Sequence, residues 1–225
     1  MTLIIGIRSK DGVVIGTDRK VIRGGEAEYT NKLYEVDNVV YAIEGLTGVA
    51  DDFHYLFNLE LRRRRGVDTL YEMKLLAEDI IAELTQRYAE RTREVVPIGV
   101  LMAGLDNITS GRALLYYIHG VGYGETTRFR CSGHGGPYAT SIAKFLLKEE
   151  FTVEENAKRV AFIIAYIAED VDTTVGGEPM VAMIHDSETK KGKPIKYLGE
   201  DVIKKMIEKA KETKCKLNEL LQFSS

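Results

Sequence analysis

The chain opens on residues 2–18, which read TLIIGIRSKDGVVIGTD. Two runs rich in β-branched residues, 3–8 and 12–17, flank Asp11-Gly12, a pair that is typical of tight hairpin turns. Thr2 lies directly before the first run, and Met1 precedes it. If Met1 is removed, Thr2 carries a hydroxyl and a free α-amine on one residue, which gives a nucleophile with its own base. We expect the rest of the fold to hold Thr2 in place.

The composition of the whole chain is that of an ordinary globular protein. Its 225 residues are 44% hydrophobic and 29% charged, which suits one large core, and we predict a single domain over residues 1–225. The net charge of -3 gives no support for nucleic-acid binding. The sequence shows no apolar run of about 20 residues and no signal-peptide pattern, so we expect neither membrane insertion nor secretion. The two cysteines, Cys131 and Cys215, match no metal-binding spacing and fit a reducing cytosol, with a disulfide between them as the alternative.

The hydrophobic periodicity changes between two and 3.6 residues along the chain, and it predicts an alternation of strands and helices. After the first hairpin, strands are expected at 32–37, 39–44, 95–103, 112–119, 126–131 and 180–185. Helices are expected at about 47–65, 68–93, 137–149, 153–170 and 200–221. Polar loops or turns are expected at 20–31, at Gly66, at 172–177 and at Lys190–Lys193. This order favours an α+β fold in which two antiparallel sheets pack face to face with helices outside, a four-layer αββα sandwich.

Several short motifs, in chain order, resemble the proteasome β-subunit family and its bacterial relative, the HslV protease. They are Thr2 with Gly6, Lys10-Asp11-Gly12-Val13-Val14, Thr17-Asp18, Lys32, Gly45, Ser132-Gly133-His134-Gly135-Gly136-Pro137-Tyr138-Ala139, and Asp172 with Gly176-Gly177. The resemblance spans nearly the whole chain. It implies the N-terminal nucleophile (Ntn) hydrolase fold, catalysis by an N-terminal threonine and assembly into rings.

The resemblance also implies roles for particular residues. Thr2 would attack the substrate carbonyl, and its α-amine, with an ordinary pKa of about 7.7–8.0, would take the proton. Lys32 would keep that amine neutral by like-charge repulsion, and Asp18 would hold Lys32 charged and oriented. The backbone N–H of Gly45 would stabilise the oxyanion. Without the resemblance, Thr2 reads as an ordinary edge residue, Asp18 and Lys32 as a surface ion pair, and Gly45 as a turn.

Two positions depart from the family pattern. His134 stands where the family has a serine between glycines, and Val175 stands where it has a second serine before Gly176-Gly177. Asp172 remains to accept a hydrogen bond from the terminal amine. His134 would either take over a donor or acceptor role, since its ordinary pKa is near neutrality, or be a loop histidine. These substitutions indicate a retuned site, a subunit without turnover, or chemistry diverted to attack by an amine.

The function predicted from these residues is a cytoplasmic threonine-type endopeptidase that works through an acyl-enzyme on Thr2. Two alternatives remain open: a non-catalytic subunit of a ring, and a peptide ligase that uses the same intermediate. By analogy, Val21, Thr30 and Ile43 would line the substrate pocket and favour apolar side chains of medium size. The prediction includes no metal and no organic cofactor, a homo-oligomeric ring, an unfolded protein or peptide as substrate, and an ATP-dependent unfoldase as a partner.

Overall fold

The computed structural model describes residues 2–64, 67, 69–94, 98–106, 111–186 and 194–221. Four features that were considered or predicted from the sequence fall outside these residues: Met1, the helix end at Gly66, the beginning of the strand predicted at 95–103, and the charged turn at Lys190–Lys193.

Twelve β-strands form within the described residues. They are β1 (Leu3–Ser9), β2 (Gly12–Thr17), β3 (Lys20–Arg23), β4 (Glu26–Tyr29), β5 (Leu33–Val36), β6 (Val39–Gly45), β7 (Ile98–Leu105), β8 (Ala113–His119), β9 (Tyr123–Thr126), β10 (Phe129–Gly133), β11 (Met180–His185) and β12 (Ile195–Tyr197). One five-stranded sheet has the order β10-β1-β2-β11-β12, and the other has the order β5-β6-β7-β8-β9. The β3 and β4 strands pair only with each other. All of these pairings are antiparallel.

The described helices cover the outer faces of the two large sheets. They are α1 (Thr47–Arg63), α2 (Leu70–Thr92), α3 (Gly136–Leu146), α4 (Val153–Tyr166) and α5 (Glu200–Leu221), and a π-helical turn, Ile167–Val171, continues α4. The predicted capping box at the start of α4 is present, because the Thr152 hydroxyl accepts a hydrogen bond from Glu155 N while the Glu155 carboxylate accepts one from Thr152 N. In the part of the chain that the structure describes, no helix combines the length and apolarity needed to span a bilayer.

Strand β1 shows why this sequence makes four layers. Its alternate residues Leu3, Ile5 and Ile7 join a core cluster with α3 and α4, whereas Ile4 faces the second sheet. All four side chains are buried, so β1 is apolar on both faces. In the second sheet, Tyr41 of β6 faces the outer helices and packs against Phe53 and Phe57 of α1. The predicted αββα sandwich is confirmed, whereas the single-domain assignment stays a prediction.

Several local predictions were wrong. Residues 20–31 were expected to be a loop, but they contain the β3–β4 hairpin, in which Val21 is buried and the Gly24-Gly25 turn has positive φ at both glycines. The strand predicted at 126–131 is in fact the end of β9 followed by β10. Strand β12 was missed because it has only three residues. Cys131 and Cys215 are free thiols, so no disulfide joins them.

Candidate active site

Thr2 lies immediately before β1, and only 6% of its surface is exposed. The next residue, Leu3, pairs with Gly133 of β10. Gly133 has a φ of +83°, and a Cβ atom there would lie 2.0 Å from the Thr2 carbonyl oxygen. Two backbones can approach this closely only where glycine stands, so Gly133 allows the start of the chain to lie against β10.

Asp18, which follows β2, is completely buried and binds four groups. Its Oδ1 accepts hydrogen bonds from Leu3 N at 3.0 Å and from Lys32 Nζ at 2.8 Å. Its Oδ2 accepts from Lys20 N at 3.1 Å and from Gly176 N at 3.2 Å. One carboxylate therefore joins the residue after Thr2, the lysine ammonium and the loop that precedes β11. The prediction of a surface ion pair is wrong, because both side chains of the pair are buried.

Lys32 lies just before β5, with 5% of its surface exposed. Burial lowers the pKa of Lys32 below its ordinary value, and the charge and hydrogen bond of Asp18 oppose this shift. The Lys32 ammonium therefore gives up a proton more readily than the ammonium of an exposed lysine.

Gly45 ends β6 and pairs with Ile98 of β7. Its φ of +131° is one that a residue with a side chain rarely adopts. Gly45 and Thr2 line two cavities together. The structure thus brings the predicted oxyanion donor and the predicted nucleophile to one place.

The two cavities beside Thr2 differ in size. The smaller has a volume of about 80 Å³, and its lining includes Lys32 and all three predicted substrate-binding residues, Val21, Thr30 and Ile43. The larger has a volume of about 560 Å³ and is lined in part by Glu44, Leu46, Tyr117 and His134. Cavity volume alone does not single out this place, because a cavity of about 590 Å³ lies near Ser9, at the other end of β1.

His134 lines the larger cavity but not the smaller one, and Asp172 lies close to it. Asp172 Oδ1 accepts hydrogen bonds from the backbone N and the hydroxyl of Thr174, at 2.8 and 2.6 Å. Its Oδ2 is buried, has no hydrogen-bond partner among the described residues, and is 4.0 Å from His134 Nε2. The His134 side chain is 58% exposed. Val175 is 2% exposed and packs in the core with Leu3, so this position supplies no hydroxyl.

Sequence reasoning missed five residues of the small cavity, namely Arg23, Tyr34, Thr47, Ala50 and Asp51. Arg23 was missed together with the β3–β4 hairpin, because residues 20–23 lack the polar–apolar alternation that would indicate a strand. Tyr34 and Asp51 carried no signal, because their place in the wall depends on how α1 packs beside β5. Ser132 was quoted only within its motif, yet its hydroxyl is buried and has no hydrogen-bond partner in the described ranges.

The fold and the site define a class, the αββα sandwich of Ntn-hydrolase type with a threonine at the start of its first strand. Solved structures with this architecture are similar over the full length of both chains. The ancestral β-subunit Anbu from Yersinia bercovieri has a TM-score of 0.78 at 14% identity, and the Gly-1 mutant of Anbu from Hyphomicrobium sp. strain MC1 has a TM-score of 0.76 at 13% identity. At these identities the likeness concerns the fold alone.

The sequence comparisons are more specific. A family profile described as proteasome subunit matches residues 2–184, and the chain belongs to that family. A proteasome subunit beta from Methanobrevibacter ruminantium is 27% identical over 214 residues, which cover 92% of this chain and 94% of the relative. One from Rhodococcus jostii is 28% identical over 194 residues, covering 82% of this chain but only 65% of the relative's length. The resemblance to proteasome β-subunits is confirmed.

Proposed function

We propose that this chain is a threonine-type Ntn peptidase in which Thr2, after removal of Met1, is the nucleophile. The observation that carries the proposal is the Asp18 carboxylate, which holds both Lys32 Nζ and the backbone N–H of the residue after Thr2. A buried ion pair costs desolvation energy, and hydrophobic residues of similar volume are often as stable. A function at the adjacent Thr2 accounts for keeping this ion pair.

In the proposed reaction, the Thr2 hydroxyl oxygen attacks the carbonyl carbon of a peptide bond. The hydroxyl proton passes to the α-amine of the same residue, and the carbonyl electrons move onto oxygen. Collapse of the tetrahedral intermediate breaks the C–N bond, the α-ammonium returns the proton to the leaving amine, and an ester remains on Thr2. Water then hydrolyses this ester. The cationic Lys32 favours the neutral, basic form of the α-amine.

The backbone N–H of Gly45 is the proposed oxyanion donor. Because glycine has no side chain, the substrate carbonyl can approach the main chain at this point. The loss of one donor of this kind typically costs about 2.7–4 kcal/mol of transition-state stabilisation.

Asp172 is the proposed acceptor for the α-amine. Its Oδ2 is buried and has no hydrogen-bond partner among the described residues, which is costly for a carboxylate oxygen unless a donor arrives. His134 Nε2, at 4.0 Å, is too distant for a hydrogen bond to this oxygen, so its proposed role is to hydrogen-bond substrate or water in the larger cavity, which it lines.

One observation favours a second candidate, a non-catalytic subunit of a proteasome-like ring. Val175 offers no hydroxyl at a position where the proteasome β-subunit family has a serine. The α-amine and the attacking water therefore have fewer hydrogen-bond partners. If water is poorly held, an amine competes for the acyl-enzyme, and the chain becomes a ligase. We propose a homo-oligomeric ring and a cytoplasmic site of action for each of these forms, and unfolded protein or peptide substrates with an unfoldase partner for the catalytic forms.

The test is the intact mass of purified protein after incubation with a peptide epoxyketone, a reagent for N-terminal threonines. Protein that begins at Thr2 is expected to gain one adduct, whereas Thr2→Ala and Lys32→Met are expected to gain none. The absence of an adduct on Met1-free protein would overturn the peptidase and ligase proposals. A large oligomer in light scattering would then support the structural subunit. Where an adduct forms, adding a second peptide with a free amine separates hydrolysis from ligation by its products.

A further inference from the structure

The two cavities that meet at Thr2 are unequal, at about 80 and 560 Å³. We propose that the smaller one accepts only a small, uncharged side chain, so that the substrates are peptides with a residue such as Ala or Ser on the acyl side of the cleaved bond. This inference rests on the proposed function and narrows it. The proposal assigns the larger cavity to the side of the leaving amine, where its volume imposes no comparable limit on the size of a side chain.

The volume of the small cavity sets an upper limit on the side chain. An apolar cavity of about 150 Å³ in another protein holds one benzene molecule. The cavity beside Thr2 has about half that volume, so it excludes an aromatic ring while leaving room for a few carbon atoms. The medium-sized apolar side chains expected from Val21, Thr30 and Ile43 are therefore at or beyond the limit.

Tyr34 keeps the cavity small because its ring is fixed from behind. The Tyr34 ring lies 4.1 Å from the His54 ring and 5.4 Å from the Tyr41 ring, measured between centroids. His54 Nδ1 is in turn hydrogen-bonded to the Tyr41 hydroxyl at 2.8 Å, and Asn58 Nδ2 donates to the same hydroxyl at 3.3 Å. Tyr34 cannot move outward without disturbing this cluster. A larger substrate side chain would have to break aromatic packing to enter.

The charged side chains of the cavity lining are ion-paired, one of them with Asp18, which does not itself line the cavity. Arg23 Nη2 lies 3.2 Å from Asp51 Oδ2, and this ion pair joins the β3–β4 hairpin to α1. Lys32 is balanced by Asp18 at 2.8 Å. A cationic side chain would meet two cations in the wall, and an acidic one would compete with carboxylates that are already paired. An uncharged side chain avoids both costs.

The experiment compares peptide boronates that differ only in the side chain beside boron, namely those of Ala, Leu, Phe, Asp and Lys. The Thr2 oxygen gives an electron pair to boron and its proton to the α-amine, so the adduct mimics the tetrahedral intermediate without bond cleavage. Dissociation constants come from calorimetric titration of Met1-free protein. We expect the Ala reagent to bind at least tenfold more tightly than the Phe, Asp or Lys reagents, as pocket selectivity of 10–200-fold would give.

Two variants change the volume of the cavity in opposite directions. Tyr34→Ala removes the fixed ring. It is expected to reduce at least tenfold the preference for the Ala reagent, measured as the dissociation constant of the Phe reagent divided by that of the Ala reagent. Ala50→Leu fills the cavity and is expected to weaken even the Ala reagent. Tyr55→Ala is the matched control for Tyr34→Ala, because it also replaces a tyrosine, but Tyr55 lies in α1, is 67% exposed and does not line the cavity.

The outcomes separate this inference from the proposed function. Equal or tighter binding of the Phe, Asp or Lys reagent, with the epoxyketone adduct still formed, overturns the inference alone. If Tyr34→Ala does not form a native-like fold, a failure of Ala50→Leu to weaken the Ala reagent overturns it. If neither boronates nor the epoxyketone react with protein that begins at Thr2, the proposed function and the inference fall together.

Discussion

Replacing either partner of the buried Asp18–Lys32 pair should have very different effects on stability. In Lys32→Met the Asp18 carboxylate keeps three backbone N–H donors, those of Leu3, Lys20 and Gly176. Such donors alone hold a carboxylate in its charged form. We therefore expect Lys32→Met to lower the free energy of unfolding by about 1 kcal/mol or less, because the lost hydrogen bond between charged groups, worth about 1.5–3 kcal/mol, is partly offset by no longer burying an ammonium.

Asp18→Asn should be much more costly. The amide has one accepting oxygen where the carboxylate has two, so its NH2 group must face backbone N–H donors. The Lys32 ammonium, whose side chain is only 6% exposed, also loses the negative charge at 2.8 Å. Removing one partner of a buried ion pair typically costs about 3–5 kcal/mol, and that is the expected loss. The double variant should be more stable than Asp18→Asn, because the buried cation is gone.

The assay is urea unfolding followed by circular dichroism, at one protein concentration because assembly would add to apparent stability. Both single variants should fail to form the epoxyketone adduct, so the difference between them appears in stability alone. Equal destabilisation by the two variants, or a double variant less stable than Asp18→Asn, would refute the view that backbone donors hold this carboxylate.

Three further predictions test other features. Gly45→Ala places a side chain at a φ of +131° and should lower the free energy of unfolding by about 1–3 kcal/mol. The control is Gly48→Ala, in α1 with open space around it, which should raise the free energy of unfolding by about 0.5–1 kcal/mol. Urea unfolding measures both changes. Burial raises the pKa of Tyr117 to about 12, so the folded chain holds a proton that the unfolded chain loses near pH 10. The free energy of unfolding should therefore fall as the pH rises from about 10 to 12, and the fall should be smaller in Tyr117→Phe. Burial alone would raise the pKa of Asp186, but Arg8 at 2.7 Å helps to hold this pKa below its ordinary value. The ionised Asp186 therefore stabilises the fold above its ordinary pKa, and this stabilisation should be lost as the pH falls. In acid unfolding curves, Arg8→Gln should make the free energy of unfolding fall less steeply with decreasing pH.

The parts of the fold that the sequence predicts well are those with strong local patterns. The β1–β2 hairpin, helix α5 and the capping box at Thr152 each follow from neighbouring residues, and each lies where it was expected. The β3–β4 hairpin was missed because its burial is slight, so its hydrophobic alternation is weak. Local patterns predict elements that bury one clear apolar face, and they fail where an element is short or mostly exposed.

The site was predictable only in part. Lys32 and Asp18 were named through a family resemblance, since nothing in their spacing of fourteen residues predicts a contact at 2.8 Å. Their burial, and the backbone donors around Asp18, arise because strands distant in sequence meet at one point. Tyr34 and Asp51 could not be assigned to the cavity wall for the same reason. Long-range packing decides those positions, and a single sequence does not record it.

The approach of Gly133 to the carbonyl oxygen of Thr2 restricts how this protein can be changed by mutation or by design. A Cβ atom at position 133 would lie 2.0 Å from that oxygen, so even alanine there must displace Thr2, the residue before β1. Because the contact is with a backbone atom, the end of β10 must keep glycine whatever side chain stands at position 2. A laboratory library that randomises residue 2 should leave position 133 untouched, and one that randomises both should recover glycine at 133 in every folded clone.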